Sequence, residues 1–340
     1  MTEDGGNPDV KVAPEAPAQP AWPLGLRIAK TAVQLALLAL VVYYIIRALA
    51  RGLGQVQWAG LHVNWLLVVL SLCVTAGGMV LVVEANRLLL AAAFGRLPWR
   101  HMAAVTWITR LGKYIPGKMA SIVGAAYMLR GYGIPAMVGT SVIVLNTALT
   151  IIVGLVLSVP LVLWEPLRQR LPMAWLWALV GIGAGCVAVH PRVNIFLVNL
   201  LLRLAKRPPL SMRHTLADYG RPLVIILLQW VLSGAALWLL AASVADVSLD
   251  RLPLMVAASS LAVTAGFIVV ICPAGLGVRE AVYLLVLQQV MGLELASLVT
   301  VGMRLIYTLA EVTLAGVGAV MLRLGGPPTV HPAEQPGQEG

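Results

Sequence analysis

Three basic side chains fall within nine residues in Arg110-Leu111-Gly112-Lys113-Tyr114-Ile115-Pro116-Gly117-Lys118, inside an otherwise apolar stretch. A charge at the bilayer centre costs about 2.5–3.5 kcal/mol on insertion scales, so such cations need an anionic partner or water. Pro116 removes a helix donor, and Gly117 lets a new helix begin. Free amides at that start, with Lys113 and Lys118, would cradle a phosphate, and Arg110 would add a further donor. The other reading is that these side chains snorkel to the cytoplasmic head groups. The residues alone leave both open.

A second group has the same design. In Pro273-Ala274-Gly275-Leu276-Gly277-Val278-Arg279-Glu280 the glycines allow the backbone to turn within an apolar region. Arg279 and Glu280 then place both signs at the start of the next helix, where the dipole favours Glu280. Arg279 is a phosphate-binding candidate, and a structural ion pair closing a broken helix is the alternative. Further on, Arg304 and Glu311 are seven residues apart, two turns on one face and about 10 Å along the axis, too far to pair directly. Glu280 is therefore the expected partner of Arg304. That would leave Glu311 with Tyr307 as a polar ladder able to accept a proton. Glu84, Asn86 and Arg87 read as an interfacial group, Asn146 and Gln229 as bonds between helices, and Gly181-Ile182-Gly183-Ala184-Gly185 as a packing surface.

The elements that must hold these groups are transmembrane helices. Of 340 residues 60% are hydrophobic and 11% charged, against roughly 45–50% and about 25% in soluble chains. Mean hydropathy is +0.89, which excludes a soluble fold. With no long alternating strands, a β-barrel is excluded as well. The expected fold is an all-α polytopic membrane protein of about six full spans, near 28–46, 65–83, 136–163, 173–190, 223–243 and 296–322. Two broken or re-entrant helical hairpins, 101–130 and 254–291, interrupt the series at Pro116-Gly117 and at Pro273, Gly275 and Gly277. A disordered cytoplasmic tail (1–26), a transmembrane domain (27–323) and a second cytoplasmic tail (324–340) are the expected divisions.

The basic residues set the orientation. A single crossing by 101–130 would put Arg192, Arg203, Lys206, Arg207, Arg213 and Arg221 outside, against the positive-inside rule. With each hairpin returning to its own side, those residues, Arg87, Arg96, Arg100, Arg130 and Arg323 are cytoplasmic, and so are both termini. The hairpins then enter from opposite faces, which resembles an inverted repeat around a midplane site. Residues 191–207 space their polar groups as an amphipathic surface helix, with a solvated basic connector as the alternative.

Other chemistries find no support. The net charge of +10 is spread between apolar runs, so it sets topology and does not indicate nucleic acid. The three cysteines (Cys73, Cys186, Cys272) and five histidines have no paired ligand spacing, so no metal and no cofactor is expected. Phosphate-loop, zinc-protease and serine-hydrolase motifs are missing, and no base or nucleophile is positioned for a transferase, so the chain reads as no enzyme.

Leu111 to Lys118 and Pro273 to Ala281, followed by Arg304 and Glu311, resemble the two signatures of the lysylphosphatidylglycerol synthase transmembrane, or flippase-like, domain family. The resemblance covers roughly 28–322. It implies lipid handling, since similar members translocate aminoacylated phospholipids and polyprenyl-linked sugars. Two departures stand out. Asn146 occupies a place where related sequences often carry glutamate, which weakens proton coupling there. The soluble aminoacyl-transferase domain of the synthases is also absent after Leu322, so synthase activity is not implied.

The expected function is an inner-membrane flippase for an anionic or phosphate-bearing lipid, phospholipid or polyprenyl-linked. Arg110, Lys113, Lys118 and Arg279 would bind the head group, and Glu280, Arg304, Tyr307 and Glu311 would form the polar network. Pro116, Gly117, Pro273, Gly275 and Gly277 would supply the backbone turns. Membrane lipids are the expected partners. The alternative is a non-transporting scaffold for a glycosyltransferase or other lipid-modifying enzyme.

Overall fold

A computed structural model describes residues 54, 61–114, 119–165, 173–204, 216–268, 275, 277–324 and 331–332. The expected span 28–46, Pro116, Gly117, Lys118 and Pro273 lie outside them. The described chain is an all-α membrane protein. Its helices are α1 (Trp65–Ala93), α2 (Trp99–Arg110), α3 (Met119–Arg130), α4 (Ala136–Ser158), α5 (Pro160–Leu163), α6 (Ala174–Val189), α7 (Pro191–Leu204), α8 (Leu216–Ala242), α9 (Leu252–Ile268) and α10 (Val278–Leu324). A 3₁₀ turn, Leu111–Tyr114, extends α2. Two residues, Gly95–Arg96 (β1), pair antiparallel with His331–Pro332 (β2).

Long apolar runs form these helices because hydrocarbon leaves the backbone no other hydrogen-bond partner. Four are long and apolar enough to cross a membrane, Trp65–Ala93, Ala136–Ser158, Asp218–Ala242 and Val278–Leu324; α6 and α7 make a fifth candidate, bent by 92° around His190. Local chemistry sets the ends. The Asn64 side chain accepts from the amides of Leu66 and Leu67 at 3.1 and 3.4 Å, a cap that starts α1. Pro135 and Pro98 precede α4 and α2, where a missing N–H costs nothing.

Packing is inside-out relative to a soluble protein. Leu305, Leu309 and Val312 of α10 are more than half exposed, while Met303, Ile306 and Ala310 of the same helix are buried. The exposed face suits acyl chains and the buried face packs on protein. The most extensive contact joins α1 to α8; α9 packs on α4, α8 and α10, and α2 on α10. At Gly234 a side-chain carbon would lie 2.6 Å from the backbone nitrogen of Val256, so the crossing of α8 over α9 requires glycine. Gly181 and Gly185 face Val159 and Val156, as expected for a packing surface.

The two broken regions are broken in the structure. The first consists of α2 and α3, 12 residues each and about 18 Å long at 1.5 Å per residue. The second consists of α9 and the first limb of α10, which together flank Gly275 and Gly277. Formally α10 runs for 47 residues, but Gly292 has φ 79° and ψ 166°, which no helix tolerates. Glu280 and Arg304 stand twelve residues on either side of it and would be about 36 Å apart on a straight helix. Their charged atoms are 3.4 Å apart, so the chain doubles back at Gly292. The expected division between 254–291 and 296–322 falls at that turn.

Some boundaries differ from expectation. The helix expected at 65–83 continues to Ala93, because Glu84 and Arg87 neutralise each other one turn apart, with Arg87 Nη2 donating to Glu84 Oε1 at 2.6 Å. Both therefore lie within a helix and not at its end. The run expected as 136–163 is split after Ser158, where Pro160 cannot continue the helix.

Candidate functional site

The register of α2 against α10 builds the centre. At Gly318 a side-chain carbon would come 3.2 Å from the Ala104 Cα, so the two helices nearly touch there. Because they run antiparallel, Arg110, six residues after Ala104, meets Glu311, seven before Gly318. The Arg110 Nε donates to Glu311 Oε1 at 3.2 Å, and the Lys113 ammonium from the 3₁₀ turn donates to the same oxygen. The Glu311 side chain is fully covered, while those of Arg110 and Lys113 keep 25% and 19% exposure. Two cations on the rim thus compensate the buried carboxylate and leave the cluster with one positive charge in excess.

Glu280 works differently. It sits at the third helical position of α10, and its Oε2 accepts from the Gly277 N–H at 2.7 Å, half of a capping box. Its other oxygen faces Arg304 at 3.4 Å, the pairing expected from the sequence. Tyr307 joins this group through its ring, with the Arg279 guanidinium 5.9 Å from the centroid. Its hydroxyl lies 2.6 Å from Ser233 Oγ on α8. Glu311 takes Arg110 and Lys113 as partners, while the Tyr307 hydroxyl takes Ser233. Glu311 turns to Arg110 and Lys113 because α2 covers its face of α10.

Arg279 is held by backbone. Gly275, at φ 68°, and Gly266 are so close to each other and to Arg279 that a side-chain carbon on Gly275 would lie 2.9 Å from Gly266 Cα and 3.3 Å from Arg279 Nε. Gly277 also has positive φ, 92°, so both glycines turn the chain, as expected from the sequence. Arg279 Nε is buried with no hydrogen-bond partner among the described residues.

Three of the four cations proposed for the head group line one cavity of about 140 Å³: Arg110, Lys113 and Arg279. Asn86, Thr106, Thr109, Ser121, Asn146 and Thr147 complete its polar wall. Among the described residues no carboxylate lines it. Arg279 also borders two smaller cavities, one with Thr75, Gln229, Ser233 and Tyr307, the other with Glu280, Thr300, Arg304 and Tyr307. The sequence reading had Asn86 and Asn146 in other roles and missed the hydroxyls. Their signal was polar residues at apolar-helix positions, Thr106 and Thr109 three apart on the α2 face that carries Arg110.

A family model described as the lysylphosphatidylglycerol synthase TM region matches residues 31–316, which takes in α1 to α9, most of α10 and the whole of this centre. The chain belongs to that family. As a lysylphosphatidylglycerol synthase TM-region protein it is a multi-pass membrane protein of lipid-related function. No curated protein and no solved structure matches it. The match takes in Arg110, Lys113, Arg279 and Glu311.

Proposed function

We propose that this protein moves an anionic, phosphate-bearing lipid across the inner membrane, the head group passing through the cavity while the chains stay in hydrocarbon. The observation that carries the reading is the cavity with Arg110, Lys113 and Arg279 on its wall and no carboxylate among its described lining residues. A phosphate there would meet guanidinium and ammonium donors, which bind it far better than neutral donors do. Lys118 is assigned to the same head group on its place in the first signature. Glu280 and Arg304 hold α10 against its own return limb, and Glu311 holds Arg110 and Lys113 until an anion competes for them.

The same reading gives the architecture six full spans and two re-entrant hairpins, with both termini cytoplasmic. Helices of about 18 Å, such as α2 and α3, are too short for a hydrocarbon core of about 30 Å. The 92° bend between α6 and α7 supports α7 lying along the cytoplasmic surface. Membrane lipids are the partners. The chain acts as a carrier and not as an enzyme, with no cofactor required.

The test uses purified protein reconstituted in vesicles with a fluorescent anionic phospholipid and a membrane-impermeant quencher. The parent should expose lipid to the quencher faster than empty vesicles do. Lys118→Ala and Arg279→Ala should slow this at least about tenfold, the worth of one charge-assisted contact of about 1.5 kcal/mol. Transport unchanged in both variants refutes the assignment. Copurification of an enzyme with no head-group movement would support a scaffold instead.

A further inference from the structure

The cavity contains more than cations. Asn86 of α1 and Asn146 of α4 are 3% and 6% exposed, and the Oδ1 of each has no hydrogen-bond partner among the described residues. A buried acceptor left unmet costs about 1–3 kcal/mol, and here two, from different helices, share one cavity. Asn86 Nδ2 already donates to Thr106 Oγ1 at 3.3 Å, which leaves its oxygen as the unused end. Two of the hydroxyls on the wall are committed elsewhere: Thr109 donates to Val105 O at 2.6 Å and Thr147 to Ile143 O at 2.7 Å. A ligand entering the cavity would supply the missing donors, as water would.

Two kinds of head-group donor exist, an ammonium and a hydroxyl. An ammonium would enter beside Arg110, Lys113 and Arg279, three cations of whose charge Glu311 offsets one, and like charges at this range repel strongly in low dielectric. A hydroxyl carries no such penalty. Resting on the head-group reading above, we propose that Asn86 and Asn146 read hydroxyl groups, so that the ligand is a phosphate ester of a polyol or sugar and not a phosphate carrying an ammonium.

The experiment is native mass spectrometry of the purified full chain after incubation with equal amounts of two lipids. Phosphatidylglycerol and phosphatidylpropanol have the same charge and size and differ only in the two hydroxyls. The parent should retain phosphatidylglycerol about tenfold over phosphatidylpropanol, which is 1.4 kcal/mol, and should retain lysyl-phosphatidylglycerol no better than phosphatidylpropanol. Asn146→Leu and Asn86→Leu should each bring the ratio toward one while phosphatidylpropanol retention holds, which also shows that the variant is folded. The same pair on a polyprenyl chain, phosphohexose against ethyl phosphate, tells a polyprenyl source from a glycerolipid one. Equal retention of the two lipids by the parent, on both chains, overturns the proposal, as does strong retention of the lysylated lipid. Arg279→Ala separates the two levels. If it releases neither lipid, the head-group reading itself falls; if it releases both while neither asparagine variant changes the ratio, only the hydroxyl proposal falls.

Discussion

Replacing Glu311 with glutamine removes one charge and almost no volume, which isolates the electrostatic role of that side chain. The carboxylate is fully covered and holds Arg110 at 3.2 Å and Lys113 through one oxygen. Taking away one member of a buried pair costs about 3–5 kcal/mol, because the other charge is left without compensation. Two cations are stranded here, but each keeps about a fifth to a quarter of its side chain exposed, and glutamine still offers an acceptor oxygen. The lower end, about 3 kcal/mol, is therefore expected. At about 2.1 cal/mol/K of unfolding entropy per residue, 1 kcal/mol corresponds to about 1.4 °C in a chain of 340 residues, so the midpoint of thermal unfolding should drop by about 4 °C. The assay is tryptophan fluorescence of detergent-purified protein during heating. Adding Lys113→Gln to Glu311→Gln removes one of the stranded cations, so the double variant should unfold above the single one. A single variant within about 1 °C of the parent, or a double variant whose losses simply add, refutes the reasoning.

Three further outcomes are expected. Gly234→Ala should cost about 1–3 kcal/mol by overpacking, since the new carbon meets the Val256 backbone and no flexible side chain can move aside; chemical unfolding measures it. Glu280→Ala should raise hydrogen exchange over 278–291 by exposing the start of α10, whereas Glu280→Gln, which keeps an acceptor for Gly277 N–H, should raise it less. Glu84→Ala should change the unfolding midpoint by less than about 3 °C, because its pair with Arg87 is about 30% exposed on both sides and such pairs contribute about 0–1 kcal/mol.

The broken regions were legible in the sequence because proline and glycine act locally. Gly275 and Gly277 adopt positive φ whatever packs on them, and Glu280 finds Gly277 three residues away. The Glu280 to Arg304 pair was also within reach, since a carboxylate that cannot leave hydrocarbon must find a cation. The partner of Glu311 was not. It depends on α2 crossing α10 at Ala104 and Gly318, a register set by two small residues 214 positions apart, and no periodicity within either helix encodes it. Asn86 reads as an interfacial residue and Asn146 as a bond between helices for the same reason. Whether a polar side chain on an apolar helix bonds a neighbour or faces a void depends on the third element beside it.

The short pairing of Gly95–Arg96 with His331–Pro332 reaches beyond its two residues. Adjacent strands lie about 5 Å apart, so both segments occupy one aqueous compartment. The path from Arg96 to His331 must then traverse the bilayer an even number of times. A scheme in which one of the two interrupted regions pierced the membrane and the other did not would strand the two strands on opposite faces. An impermeant thiol reagent applied from one side should accordingly label cysteines placed at 96 and 331 together or not at all.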